Sequence, residues 1–220
     1  MNFFIQRRYF LKENHRKYVE EYNYLYNSKY HAKTSIYPLY TKERKIVMLG
    51  SSLTGNANWD ELLDRSDIAN RGIGGDVSEG MLERMSYVLN VKPQICFIES
   101  GINDIAKGFS DEIILENLNS IIDILEENNI IPVLNTVSFI TSESESKRRV
   151  SRNKNIKRLN DKIIHLAQEK NISIIDLNTY ISKNNALMPE FAIDDGIHLS
   201  DLTYEIWTAE IQRILNEKGI

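Results

Sequence analysis

With 220 residues, of which 42% are apolar and 26% charged, the chain has the make-up of one soluble globular domain able to bury a sizeable core. A formal net charge of -4 excludes a nucleic-acid binder that works by neutralising phosphates, so no nucleic-acid partner is expected. The single cysteine, Cys96, rules out a disulfide framework and a cysteine zinc cluster, and its apolar neighbours assign it to the core. No stretch is long and apolar enough to span a membrane. The start, Met1 to Arg8, has its apolar patch ahead of the basic pair and no small-residue cleavage site. It does not read as a signal peptide, and the expectation is a cytoplasmic protein; a secreted form trimmed of its signal would look the same.

In chain order, residues 1–44 form a segment of their own. Tyr18, Val19, Tyr22, Leu25 and Tyr26 recur at helical spacing, which predicts an amphipathic helix that packs on the domain, roofs its site or makes a homodimer contact. The domain proper, 45–220, opens with the apolar run Lys45 to Leu49, a first strand. Gly50-Ser51-Ser52-Leu53-Thr54 follows as a tight turn, and then Asn58 and Glu61 stand three apart like a helix cap and its partner. Ile68 and Ala69 lead into a glycine-rich turn at Gly72, Gly74 and Gly75, with a helix expected from Ser78 to Val91. Gln94 to Ile98 is a third strand, followed by Gly101-Ile102-Asn103-Asp104. Ile114, Leu115, Leu118, Ile121, Ile122 and Leu125 keep one apolar face of a long helix. Ile130 to Leu134 is a fourth strand, with Pro132 expected near its start or at a sheet edge. Residues 142–153 read as a polar loop, Ile156 to Ala167 as a helix, Ile172 to Ile175 as a fifth strand, and Tyr204, Trp207, Ile211 and Ile214 as a last helix. Strands alternating with helices predict a three-layer α/β fold, a parallel sheet covered on both faces. Loops after parallel strands open on one edge, so Ser52, Gly75 and Asn103 are expected to meet there.

A hydrolase that works through a serine hydroxyl needs a base, a group that orients the base, and donors for the oxyanion. Of the four histidines, His15, His31 and His165 fall in helices or a polar connection. His198 lies in Asp194-Asp195-Gly196-Ile197-His198-Leu199-Ser200, just before the last helix. Asp195, three residues ahead, is within reach of the imidazole in a tight turn. Taken alone, the same residues also read as turn formers and a helix cap.

Four blocks, Gly50 to Thr54, Asn70 to Asp76, Gly101 to Asp104 and Asp195 to His198, together resemble the four sequence blocks of the SGNH (GDSL-type) hydrolases, in the family's order. The likeness is nearest to small bacterial GDSL esterases related to platelet-activating-factor acetylhydrolase catalytic subunits. It implies a flavodoxin-like parallel sheet of five strands. Residue by residue it implies Ser52 as nucleophile, His198 as general base and then acid, and Asp195 as the orienting carboxylate. The oxyanion hole is implied to be the backbone N–H groups of Ser52 and Gly75 with the side-chain amide of Asn103. The family usually carries aspartate where this chain has Ser51. That departure leaves the firmness of the turn open and sets a second hydroxyl beside the nucleophile.

The resemblance implies hydrolysis of an ester or thioester through an acyl-enzyme, with no metal or organic cofactor. Relatives of this size commonly remove short acyl groups, often acetyl from carbohydrate, so a small-molecule or carbohydrate ester is the expected substrate. A lysophospholipase or acyl thioesterase is the alternative, with the aromatic N-terminal helix shaping an acyl channel. A catalytically weak binding module and a flavodoxin-like nucleotide binder are readings of other classes, and the second leaves Asp195 and His198 without a role. Asn56, Trp59, Arg71, Ile102 and Phe139 are the candidate substrate-binding rim.

Overall fold

A computed structural model describes residues 24–146 and 152–220. Five short apolar runs form one parallel sheet: β1 (Ile46–Gly50), β2 (Ile68–Gly72), β3 (Ile95–Ile98), β4 (Ile131–Asn135) and β5 (Ser173–Ile175), in the order β2-β1-β3-β4-β5. Every residue of β1 and β3 is buried, as a sheet covered on both faces requires. Gly50 pairs with Gly72 and Leu49 with Ile98, so the loops after β1, β2 and β3 leave from one edge. A minor antiparallel pair, β6 (Ser182–Lys183) and β7 (Ala186–Leu187), lies outside this sheet.

The described helices are α1 (Ser28–Ile36), the single turns α2 (Ser52–Gly55) and α3 (Trp59–Leu62), α4 (Ser78–Glu83), α5 (Ser86–Leu89), α6 (Ile102–Ala106), α7 (Asp111–Glu127), α8 (Ser142–Ser146), α9 (Arg152–Lys170), α10 (Asn178–Ile181) and α11 (Asp201–Lys218). The apolar stripe of α7 is buried as its periodicity predicts, and so are Ile156, Leu159, Ile163 and Ala167 of α9. On α11, Trp207 meets Trp59 edge-on with centroids 5.0 Å apart, and its indole N–H donates to Asn135 Oδ1 at 2.9 Å. None of the described helices is long and apolar enough to cross a membrane.

The structure departs from the sequence reading in three places. The helix expected over Ser78–Val91 is two short helices interrupted at Arg84 and Met85, where the Arg84 side chain turns into the interior. Part of the polar stretch 142–153 is helical, in α8 and the start of α9, and 147–151 fall outside the described residues. Pro132 sits near the start of β4, as expected: Ile131 N–H donates toward β3, and pairing with β5 begins only at Val133, so the missing donor is not needed. Of the predicted N-terminal amphipathic set, Tyr18, Val19 and Tyr22 lie outside the described residues. Leu25 and Tyr26 are exposed in a 3₁₀ turn, and α1 starts at Ser28. The segment anchors instead through Tyr30 and Tyr37, which form a second small core with Ile73.

Trp207 is only 1% exposed. Trp207→Ala is expected to lower unfolding free energy by about 3–5 kcal/mol, read from urea denaturation followed by circular dichroism.

Candidate active site

Gly50 ends β1, and Ser52 begins the helical turn that follows. A Cβ on Gly50 would lie 2.1 Å from Thr54 Oγ1 and 2.9 Å from Glu99 Oε2, so only glycine allows the chain to turn this sharply. Glu99, at the end of β3 and 4% exposed, holds the turn from behind. Its Oε2 accepts from Ser51 N–H at 2.9 Å, Ser51 Oγ at 2.9 Å and Thr54 Oγ1 at 3.3 Å. Burial pushes the Glu99 carboxyl up, and these three donors work against that. Ser51 is thus buried on Glu99, whereas Ser52 faces the histidine.

The loop ahead of α11 brings His198 Nε2 to 2.9 Å from Ser52 Oγ, across 146 positions of sequence. His198 Nδ1 lies 2.5 Å from Asp195 Oδ2. An ionised carboxylate can only accept, so Nδ1 carries the proton and Nε2 accepts from the Ser52 hydroxyl. Asp195 Oδ1 accepts from the N–H groups of Ile197 and His198, both at 2.8 Å, which fixes the carboxylate within its own turn. Partial burial opposes ionisation of Asp195. The hydrogen bonds from the His198 side chain and from these two N–H groups outweigh it and hold the carboxyl below the usual range.

The glycine loop after β2 and the loop after β3 meet beside this row. Gly75 has φ +76°, a conformation that favours glycine. Asn103 Nδ2 donates one hydrogen to the Asp76 carbonyl at 2.9 Å and has a second to offer. The loops are tied by buried charge. Arg84 Nε donates to Asp76 Oδ2 at 2.8 Å, and Nη2 donates to the Gly50 carbonyl at 3.1 Å. Asp104 Oδ1 accepts from Ser78 N–H at 3.0 Å and from Ser78 Oγ at 2.6 Å. Burial pushes the Asp104 carboxyl up to about 6, against the pull of those two donors.

The structure therefore brings Ser52, His198 and Asp195 into one hydrogen-bonded row and sets Gly75 and Asn103 on neighbouring loops of the same sheet edge. Most of the expected rim is buried. Trp59, Arg71, Ile102 and Phe139 are all buried, at 1%, 3%, 6% and 6% exposure. The Trp59 indole N–H donates to the Thr54 carbonyl at 2.9 Å. The Arg71 guanidinium lies 4.8 Å from the Tyr37 ring centroid, and Asp76 pairs with Arg84. Asn56 remains exposed. Sequence reasoning passed over Glu99 and Arg84. The available signal was a charge ending an apolar strand in one case, and a lone arginine within a buried helical stretch in the other.

Residues 47–206 match the profile of the GDSL-like lipase/acylhydrolase family. Among curated proteins, the chain is 24% identical over 206 residues to an N-acylneuraminate cytidylyltransferase of Streptococcus agalactiae serotype V, a match covering 94% of this chain. The chain spans only 44% of that protein's length. Among solved structures, a GDSL-like lipase from Bacteroides thetaiotaomicron superimposes with a TM-score of 0.75 at 23% identity, covering 87% of this chain and 98% of that one. A platelet activating factor protein from Streptococcus pneumonia gives a TM-score of 0.75 at 21% identity, covering 93% and 97%. These likenesses share the three-layer α/β fold.

Asp104 carries a testable pH dependence. Its folded-state carboxyl titrates near 6, above the unfolded value, so the folded form holds the extra proton and stability falls as pH rises through that range. Asp104→Asn has no such proton to lose and keeps the acceptor for Ser78. From pH 4 to pH 7 the wild type is expected to lose about 2 kcal/mol relative to Asp104→Asn in parallel denaturation curves.

Proposed function

Because the chain belongs to the GDSL-like lipase/acylhydrolase family, we propose that it is an esterase that removes short acyl groups, acetyl above all, from a carbohydrate ester through a Ser52 acyl-enzyme. The observation that carries this reading is the hydrogen-bonded row Ser52–His198–Asp195, open to solvent. His198 accepts the Ser52 proton as the hydroxyl attacks the ester carbonyl. Asp195 keeps the imidazole in the right tautomer and stabilises the imidazolium. The N–H groups of Ser52 and Gly75 and the Asn103 amide receive the oxyanion. His198 returns the proton to the leaving alcohol, and water repeats the sequence in reverse to release the acid.

The side chains of His198 and Asp195 are 33% and 44% exposed, which favours a small acyl group on a bulky leaving group over a long acyl chain drawn into an apolar channel. The sugar we favour is an acidic one of the N-acylneuraminate class, after the name of the streptococcal relatives. Lys107, whose Nζ donates to the Gly75 carbonyl at 3.3 Å, adds a cation beside the glycine loop that suits a substrate carboxylate.

p-Nitrophenyl esters from acetyl to octanoyl, followed by O-acetylated N-acylneuraminic acid beside a neutral acetylated sugar, test the reading. Turnover is expected to peak at acetate and to favour the acidic sugar. It should fall by about 10⁴-fold or more in Ser52→Ala, while Ser51→Ala keeps most of it. A rate rising toward octanoate would instead assign a lysophospholipase or thioesterase. Wild-type turnover no faster than that of Ser52→Ala on every ester would leave a binding role.

A further inference from the structure

The glycine loop that is to supply an oxyanion donor is held from outside the family-matched part of the chain. Gly74 and Gly75 share one peptide group, whose carbonyl belongs to Gly74 and whose N–H belongs to Gly75. Asn27, twenty residues ahead of the matched residues 47–206, donates from Nδ2 to that Gly74 carbonyl at 2.9 Å. The peptide is trans, so its carbonyl and its N–H point in opposite directions. A carbonyl held toward Asn27 therefore turns the Gly75 N–H away from the N-terminal segment. Neither flanking residue has a Cβ, so this is the kind of peptide plane that rotates with little steric resistance. A donor on the carbonyl also polarises the group and makes the N–H at its other end a stronger donor.

We propose that Asn27 is a positioning residue that latches the Gly74–Gly75 peptide with its N–H directed at the acyl oxygen, so that the N-terminal segment completes the oxyanion hole. The proposal rests on the esterase reading above. The segment is built to hold the latch in place. Tyr30 and Tyr37 pack with Ile73, the residue before Gly74, and Arg71 of β2 stacks on Tyr37. On the far side of the loop, Lys107 Nζ donates to the Gly75 carbonyl, which pins the next peptide as well.

Asn27 has a second duty, and it makes the test sharp. Its Oδ1 caps α1 by accepting from Lys29 N–H at 3.0 Å. Asn27→Asp keeps an oxygen for the cap and loses the donor to Gly74, whereas Asn27→Ala loses both. Full-length wild type, Asn27→Asp, Asn27→Ala and Ser52→Ala are compared on p-nitrophenyl acetate, with melting temperature measured for each. The latch predicts that both Asn27 variants lose about tenfold to a hundredfold in kcat with KM within about threefold, on a scale somewhat below outright loss of an oxyanion donor. Inactivation by a p-nitrophenyl alkylphosphonate, whose phosphoryl oxygen occupies the same hole, should slow by the same factor. Asn27→Asp is expected to melt with the wild type, so its loss of rate is separable from folding. If Asn27→Asp turns over at the wild-type rate beside an inactive Ser52→Ala, Asn27 is a helix cap alone and the latch is overturned. If Ser52→Ala retains wild-type turnover, the esterase reading falls, and the latch with it.

Discussion

A single guanidinium sets the spacing of the site. Arg84, fully buried, reaches Asp76 of the glycine loop with Nε and the Gly50 carbonyl at the end of β1 with Nη2. The nucleophile turn and the glycine loop are thereby fixed to one rigid, planar group, which the single ammonium of lysine could not reproduce. Removing one member of such a buried pair typically costs about 3–5 kcal/mol, because the other charge is left without solvent or partner. The break between α4 and α5 follows from the same interaction. An arginine committed to the interior at position 84 is incompatible with one continuous surface helix over Ser78–Val91.

Behind the nucleophile the chain solves a familiar geometric problem with an unusual pair. Where the family usually has aspartate, Ser51 donates both its N–H and its hydroxyl to one oxygen of Glu99. A donor in place of a carboxylate is the complementary choice once a buried glutamate occupies the other side. The turn has a restraint of its own. It is held by three donors on one buried acceptor, with Thr54 the third. The same contacts separate the two adjacent hydroxyls, since Ser51 is bound from within and Ser52 is left facing His198.

The described part of the N-terminal segment packs against the glycine loop. Tyr30 and Tyr37 grip Ile73, and Asn27 reaches the Gly74 carbonyl, so the segment braces the glycine loop. Glycine-rich loops give close backbone approach at the cost of conformational freedom, and an external clamp offsets that cost.

What the sequence determined by itself was whatever short-range pattern encodes. The apolar runs gave the five strands, the spacing of Ile114 to Leu125 gave the long helix, and the order of four short blocks marked Ser52, Gly75, Asn103, Asp195 and His198. The parallel sheet then brought the loops to one edge, as expected of strands joined by helical crossovers. Tertiary structure alone decided which polar residues face inward. Trp59 and Arg71 look like rim residues in one dimension and are core residues in three, whereas Asn27 carries no local signature of the loop it holds, and the charge at Glu99 does not name its partner turn. Hydrogen bonds between positions 47 or 48 apart, such as Asn27 to Gly74 and Glu99 to Ser51, leave no periodicity in the chain. Their partners are chosen by which strand ends lie side by side.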